Sequence, residues 1–126
     1  MRSRDNLVRL KLFQVSEKRR QIEQLDTMMG EFERIAAELD SQIEIEEKKS
    51  GITDINHFAY PTFAKAARVR RDNLNASRAE LVAQREAAAD ALSEAEAELS
   101  KAERLEDREG KSPVAIQQED QSAMIG

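Results

Sequence analysis

The chain has 126 residues, of which 36% are charged and only 4% aromatic, and its formal net charge is −5 at pH 7. This length fits one domain at most, and the shortage of large apolar residues argues against an ordinary globular core. Cysteine is absent, which excludes disulfides and thiolate chemistry and fits a cytosolic location. The sequence predicts no membrane span and no secretory signal, because no apolar run is long enough.

A seven-residue hydrophobic repeat runs through the first half of the chain. Its members are Val8, Val15, Ile22, Met29, Ala36 and Ile43. Such a repeat is typical of a helix with an apolar seam along one side. The pattern predicts a helix over residues 3–49, with Ser3 as its N-cap and Asp5 in its first turn. At about 1.5 Å per residue, this helix would be roughly 70 Å long.

The start of this helix carries apolar and basic residues on more than one face. Leu10 and Phe13 do not share a face with Val8 and Val15, so they lie outside the seam. We predict a partner-binding surface made by Arg2, Arg4, Leu7, Arg9, Leu10, Lys11 and Phe13. Self-association, a further packing layer and a basic amphipathic membrane anchor remain alternatives for the same residues.

A turn is predicted over residues 50–61. Gly51 can adopt the left-handed conformation that ends a helix, and Lys48 and Lys49 lie at the negative helix end. Asp54, or Thr53 before it, can cap one short turn. Pro61 suits the first position of the next helix.

The apolar side chains of this turn exceed what the junction of two helices can bury. One interpretation is that Ile55, Phe58 and Phe63 pack together and close the junction. The other is that some of them point outward as a contact patch, with Ile55 inward and Phe58, Tyr60 or Phe63 outward. The candidate partner-binding residues are Ile52, Ile55, His57, Phe58, Tyr60 and Phe63.

A second heptad repeat follows the turn. Its members are Ala67, Leu74, Leu81, Ala88, Ala95 and Ala102. It predicts a helix over residues 62–109, ended by Gly110 and Pro113, and a flexible tail over residues 111–126. The predicted fold is all-α: an antiparallel two-helix coiled-coil hairpin over residues 1–110.

Charged residues modify this hairpin in two places. Lys11, Lys18 and Arg70 fall on expected seam positions, where they cost stability and help to fix the register. The basic start of the first helix should lie beside the acidic end of the second. The acidic residues there are Glu103, Glu106, Asp107 and Glu109.

The residues do not indicate catalysis. His57 is the single histidine and cysteine is absent, so neither a zinc set nor a histidine-based triad can form. The four glycines are scattered and make no phosphate-binding loop. We expect no enzyme activity, no metal and no cofactor. The basic run at Lys65, Arg68, Arg70 and Arg71 suggests an RNA-binding arm, but the acidic charge of the chain disfavours nucleic acid.

Three blocks of the sequence resemble the alphaproteobacterial branch of the FliJ family of flagellar export proteins. They are residues 3–22 (SRDNLVRLKLFQVSEKRRQI), residues 51–68 (GITDINHFAYPTFAKAAR) and residues 70–74 (RRDNL). The resemblance covers roughly residues 1–109. The turn block is the most specific, because it is not part of a helical repeat.

The resemblance implies an antiparallel coiled coil similar in shape to the central stalk subunit of rotary ATPases. It implies a component of the flagellar type III export apparatus, located in the cytoplasm and peripheral to the inner membrane through its partners. The paired chain ends would lie within the export ATPase hexamer, and the turn would reach the cytoplasmic domain of the export gate protein. The family is also associated with export chaperones. A helical-hairpin chaperone for substrates or escorts and a structural coiled-coil homodimer remain alternatives.

Overall fold

A computed structural model describes residues 2–110 of the chain, and the side chains of residues 5–108. It contains two helices, α1 (Arg2–Ser50) and α2 (Thr62–Gly110), which form an all-α helical hairpin as predicted. The predicted helix bounds differ from these by at most one residue. The predicted tail over residues 111–126 and the capping role of Ser3 lie outside the residues and side chains described.

The two helices contribute to two compact units. The turn unit is Ile22–Ala87, which contains the inter-helix turn. The terminal unit combines residues 2–21 of α1 with residues 88–110 of α2. Each unit contains segments of both helices, so each has its own inter-helix seam.

The seam of the turn unit is made mainly of large aliphatic side chains. Leu39, Ile43 and Ala67 form a buried cluster, against which Ile35 and Leu74 pack. The remaining buried apolar residues of this unit are Leu25, Ala36, Tyr60, Ala64 and Leu81. Burial of each large aliphatic side chain contributes about 1.5–3 kcal/mol. The predicted seam positions Ala36, Ile43, Ala67 and Leu81 are therefore confirmed as core, and Leu74 is half-buried.

The seam of the terminal unit is much thinner. Its buried side chains are Val15 with three alanines, Ala88, Ala95 and Ala102. Alanine lets two helices approach closely but removes little apolar surface from water. The unit therefore has a narrow core, although all four residues were predicted from the heptad pattern.

One predicted seam position is wrong. Arg70 is exposed, while the side chain of Arg71 is only 22% exposed and borders the seam between Ala67 and Leu74. The buried residues Tyr60, Ala64 and Ala67 follow steps of four and then three residues, and continuing this alternation places residue 71 and not residue 70 on the inner side. Lys11 and Lys18 are half-buried, as expected for polar positions at the seam.

The helix ends flanking the turn follow the predicted capping chemistry. Gly51 has φ of 73°, and its N–H donates to the carbonyl of Glu47 at 2.8 Å. The Ser50 hydroxyl donates to the same carbonyl at 3.1 Å. At the start of α2, the carbonyl of Pro61 accepts from the N–H of Lys65 at 3.0 Å, but Pro61 precedes the helix, which begins at Thr62, and does not occupy its first position as predicted. Neither helix, over its described residues, has an apolar stretch long and hydrophobic enough to cross a membrane.

Candidate binding surfaces

The turn is held in shape by a three-residue network, which we call the turn lock: Glu47, Tyr60 and Arg68. The Tyr60 hydroxyl donates to Glu47 Oε2 at 2.8 Å and accepts from Arg68 Nε at 2.8 Å. Arg68 Nη2 also donates to Glu47 Oε2 at 2.9 Å. The guanidinium carbon lies 5.9 Å from the centre of the Tyr60 ring, within cation–π range. The lock connects the last turn of α1, the loop and the first turns of α2.

The lock is mostly withdrawn from solvent. Tyr60 is buried, and the side chains of Glu47 and Arg68 are 16% and 30% exposed. The hydrogen bond from Arg68, and then the one from Tyr60, lower the pKa of the Glu47 carboxyl below its ordinary value. The same contacts raise the pKa of the Arg68 guanidinium. Both shifts favour the charged forms of Glu47 and Arg68, which the network needs.

Burial of Tyr60 corrects one predicted binding residue. The sequence placed Tyr60 among the candidates for an outward contact, but its ring is 7% exposed and its hydroxyl is engaged in the lock. An inward tyrosine needs a partner for its hydroxyl, and Glu47 and Arg68 supply one each. Glu47 was not selected from the sequence and Arg68 was assigned only to the basic run after the turn, because ion pairs spanning 21 residues leave no local pattern.

The loop backbone presents its other large side chains to solvent. Asp54 Oδ1 accepts from the Asn56 N–H at 3.0 Å, and the Asp54 carbonyl accepts from the His57 N–H at 3.1 Å. His57 Nδ1 in turn accepts from the Ala59 N–H at 3.0 Å. This makes Asp54, not Thr53, the capping residue of the turn. These bonds hold the loop backbone locally, while the side chains of Ile55, His57 and Phe58 stay exposed.

Phe58 is the most exposed large apolar residue of the described chain, at 97%. Its ring stacks on His57, with the ring centres 4.8 Å apart. Phe63 and Ile55 are 56% and 43% exposed, while Ile52 is half-buried. The prediction that Ile55 points inward is wrong, and so is the interpretation that Ile55, Phe58 and Phe63 close the junction by mutual packing. The exposed surface of the turn is made by Ile55, His57, Phe58 and Phe63.

A ladder of ion pairs flanks the seam of the turn unit and sets its register. Each pair joins a carboxylate of α1 to an arginine of α2, and both series advance by seven residues in opposite directions. The pairs are Asp26–Arg85, Glu33–Arg78 and Asp40–Arg71. A shift of register by fewer than seven residues would break all three pairs at once.

Two of the four residues in the predicted basic run after the turn form ion pairs within the chain. Arg68 belongs to the turn lock, and Arg71 donates to Asp40 at 2.9 Å and to Asp72. Both residues are less than one third exposed. Lys65 and Arg70 are exposed. The run is thus not a continuous outward basic patch, which weakens the RNA-binding interpretation.

The terminal unit exposes the large apolar residues that were predicted to bind partners. Leu10 and Phe13 are 50% and 61% exposed, and Leu7 is half-buried. Arg9 is exposed, whereas Lys11 is half-buried and donates to Glu98 at 2.9 Å. The side chains of Arg2 and Arg4 lie outside those described. Lys11 therefore serves an intramolecular ion pair, and the outward surface is formed by Leu10 and Phe13 with Arg9 beside them.

An open groove of about 520 Å³ runs along one side of the terminal unit. Phe13 forms one wall and the side chains of Ala91 and Ala95 lie at its base. Its polar border contains Glu17, Lys18, Glu94 and Glu98. The groove was not predicted, because it depends on how α1 and α2 are rotated about their axes.

Among the side chains described, which exclude those of Arg2, Arg4 and Glu109, the predicted attraction between the two chain ends is present in part. Lys11 and Arg19 of α1 pair with Glu98 and Glu96 of α2. Nearer the end, however, Asp5 lies beside the half-buried Glu106. Desolvation, followed by a hydrogen bond with Asp5 and repulsion from it, raises the pKa of the Glu106 carboxyl.

Among the residues that the structure describes, no three His, Asp or Glu side chains converge as metal ligands do. No protein-family model, curated protein or solved structure matches the chain.

Proposed function

We propose that this protein is a component of the flagellar type III export apparatus. In this proposal the terminal unit binds the hexameric ring of the export ATPase, and the exposed loop of the turn unit binds the cytoplasmic domain of the export gate protein. The protein acts in the cytoplasm at the flagellar base and is associated with the membrane only through its partners. In this proposal the same surfaces also bind export chaperones.

The observation that carries this proposal is that the terminal unit buries small apolar side chains and exposes larger ones. It buries one valine and three alanines, Val15, Ala88, Ala95 and Ala102, and leaves larger side chains outside. Leu10, Leu12, Phe13 and Leu105 are each between 40% and 61% exposed. Large apolar surface with a small core is typical of a segment that is completed by a partner. The resemblance of residues 3–22 to the FliJ family suggests that this partner is the ATPase ring.

The exposed loop supports the second contact. Phe58 is held outward on a loop that the turn lock and the Asp54 hydrogen bonds keep in one conformation. A rigid exposed aromatic side chain loses little conformational entropy on binding, and such residues are frequent hot spots. Residues 51–68, which contain this loop, form the most specific block of the family resemblance.

The proposed mechanism involves binding and no chemistry by this chain. A single copy within a hexameric ring contacts its subunits unequally, because the terminal unit has different side chains on each side. Contacts of this kind favour some subunit conformations over others, which is a population shift in the ring. The contact with the gate would couple those conformations to export.

The terminal contact is tested by the activity of the cognate ATPase with and without this protein. We expect stimulation by the wild type, and Phe13→Ala should raise the half-maximal concentration about tenfold, as loss of a hot-spot residue does. Met28→Ala is the matched control, since Met28 is 43% exposed but belongs to the turn unit. Absence of stimulation by the wild type would remove the ATPase from the proposal.

The loop contact is tested by motility of cells that carry the Phe58→Ala, Phe63→Ala double variant. This variant leaves Tyr60 and the turn lock intact, so helicity and ATPase stimulation should stay near wild type while swimming is lost. Val69→Ala is the control, because Val69 is 58% exposed on α2 outside the loop. Full motility of the double variant would contradict a role for the loop.

A further inference from the structure

We propose that two copies of this chain associate through the groove side of their terminal units, in an arrangement with twofold symmetry. The groove face is defined by Leu10, Phe13, Ala91, Ala95 and Leu105. Leu10 lies three residues from Phe13 on α1, and Leu105 lies seven residues from Glu98 on α2, so helical periodicity places both on the groove side. This inference goes beyond the proposed function and does not depend on it.

The groove face carries a projection and a recess of matching chemistry. Phe13 projects, with 61% of its surface exposed. The recess beside it has a base of alanine methyl groups from Ala91 and Ala95, and its volume of about 520 Å³ is ample for an aromatic ring. In an interface with twofold symmetry, the projection of each copy meets the recess of the other, so one face supplies both elements.

The charges of the terminal unit favour the same arrangement. Residues 8–20 of α1 contain five Lys or Arg and one Glu, whereas residues 88–98 of α2 contain four Asp or Glu and no Lys or Arg. A twofold axis parallel to the helices, along the groove, places α1 of one copy against α2 of the other. Each basic segment then faces an acidic segment, which makes the face electrostatically self-complementary.

The intermolecular pairs are assigned to residues on the groove side. Lys11 and Arg19 already pair with Glu98 and Glu96 of the same chain. Lys18 and Glu94 line the groove itself. We therefore assign the contact between Lys18 of one copy and Glu94 of the other as the main charged pair.

The available area indicates a weak dimer. Two adjacent helices about 10 Å wide each, over 20 residues of about 1.5 Å rise, present on the order of 600 Å² per copy. The total of about 1,200 Å² is at the lower limit for stable interfaces. We expect a dissociation constant on the order of 10 µM, with monomer dominant in dilute solution.

Sedimentation equilibrium of the full chain at several concentrations tests the association. The mass should rise from the monomer value of 14.3 kDa towards twice that value. Phe13→Ala should weaken the association at least about tenfold. Leu10→Ala should weaken it too, whereas Leu12→Ala should not, because Leu10 and Leu12 are 50% and 48% exposed but lie on different sides of α1.

Charge exchange gives a test that does not depend on loss of a side chain. Lys18→Glu and Glu94→Lys proteins should each remain monomeric, because every copy then presents like charges across the interface. An equimolar mixture should associate about as tightly as wild type, since one contact is reversed and the other is native. Circular dichroism of each variant checks that the helices are intact.

Three results would overturn the inference. The first is a wild type that stays monomeric up to about 200 µM, which is some twentyfold above the expected dissociation constant. The second is an equal effect of Leu12→Ala and Leu10→Ala on the association. The third is an equimolar mixture of the Lys18→Glu and Glu94→Lys proteins that stays monomeric. Any of these would leave the groove face to the ATPase or another partner. Conversely, loss of ATPase stimulation with intact self-association would remove the proposed function alone.

Discussion

Replacement by alanine should have opposite effects on the free energy of unfolding at Gly30 and Gly51, because only Gly51 has a positive φ. Gly30 lies within α1, and a Cβ atom built there meets nothing within 4 Å. Gly30→Ala should therefore raise the free energy of unfolding by about 0.5–1 kcal/mol, through helix propensity. Gly51 has φ of 73°, so Gly51→Ala should lower the free energy of unfolding by about 1 kcal/mol. Urea unfolding followed by circular dichroism at 222 nm measures both, and equal signs would contradict the assignment.

Acid should weaken the turn lock. The pKa of Glu47 is lowered in the folded protein by Arg68 and Tyr60, so its contribution to stability is present above the unfolded pKa of about 4.5 and is lost as pH falls through the folded value. Wild type should thus exceed Glu47→Gln in stability at pH 7, and the difference should shrink in acid. Tyr60 is the only tyrosine and tryptophan is absent, so intrinsic fluorescence reports this network directly.

Glu106 provides a control for Glu47, because its pKa is raised in the folded protein whereas that of Glu47 is lowered. Its pKa is raised by desolvation and by Asp5, so the stabilising state is the protonated one, which is lost as pH rises through the folded pKa. Glu106→Gln should therefore be more stable than wild type at pH 7, with the difference again shrinking in acid. If Glu47→Gln and Glu106→Gln shifted stability in the same direction at pH 7, the assigned causes would be wrong.

The pairing of α1 with α2 in the turn unit is tested by reversing one pair of the ladder. Arg78 and Glu33 are 43% and 54% exposed, so their interaction is screened and each should contribute little. Arg78→Glu should lower the free energy of unfolding by about 0.5 kcal/mol, and adding Glu33→Arg should recover most of that loss. A double-mutant cycle in urea gives the coupling, about 0.3–1 kcal/mol. A coupling of zero would exclude this pair from setting the register.

The helices and the seam were predictable because they depend on local periodicity. The sequence also contains a pattern that predicts the register, since carboxylates at 26, 33 and 40 and arginines at 71, 78 and 85 both repeat every seven residues. The register can be predicted only by comparing the two series, and this comparison requires knowing that the helices are antiparallel. The exchange of Arg70 for Arg71 has another origin: the alternation of steps that selects residue 71 begins at Tyr60 and Ala64, which were not among the predicted seam positions.

The orientation of the turn residues was less predictable. Tyr60 and Phe58 are two positions apart and both are aromatic, yet Tyr60 is buried and Phe58 is 97% exposed. The difference arises from the Tyr60 hydroxyl, which finds Glu47 and Arg68, whereas the ring of Phe58 can make no such bonds. A choice of this kind depends on residues distant in sequence, so composition and spacing alone do not decide it.

Apolar burial differs between the two units, and their local stabilities should differ accordingly. The turn unit buries leucines and isoleucine, whereas the terminal unit buries Val15 and three alanines. Because local opening is easier where less apolar surface is buried, backbone amides at residues 5–21 and 88–108 should exchange with deuterium faster than those at 25–47 and 64–85.

Hydrogen-exchange mass spectrometry of the wild type, at a concentration where it is monomeric, tests this difference. A partner that covers Leu10 and Phe13 would add apolar burial to the terminal unit, so protection there should rise when the ATPase is added. Protection at 25–47 should change much less, which provides an internal control in the same experiment. Uniform exchange along both helices would contradict the difference in buried apolar surface between the two units. A rise in protection confined to the turn unit on addition of the ATPase would contradict an ATPase contact on the terminal unit.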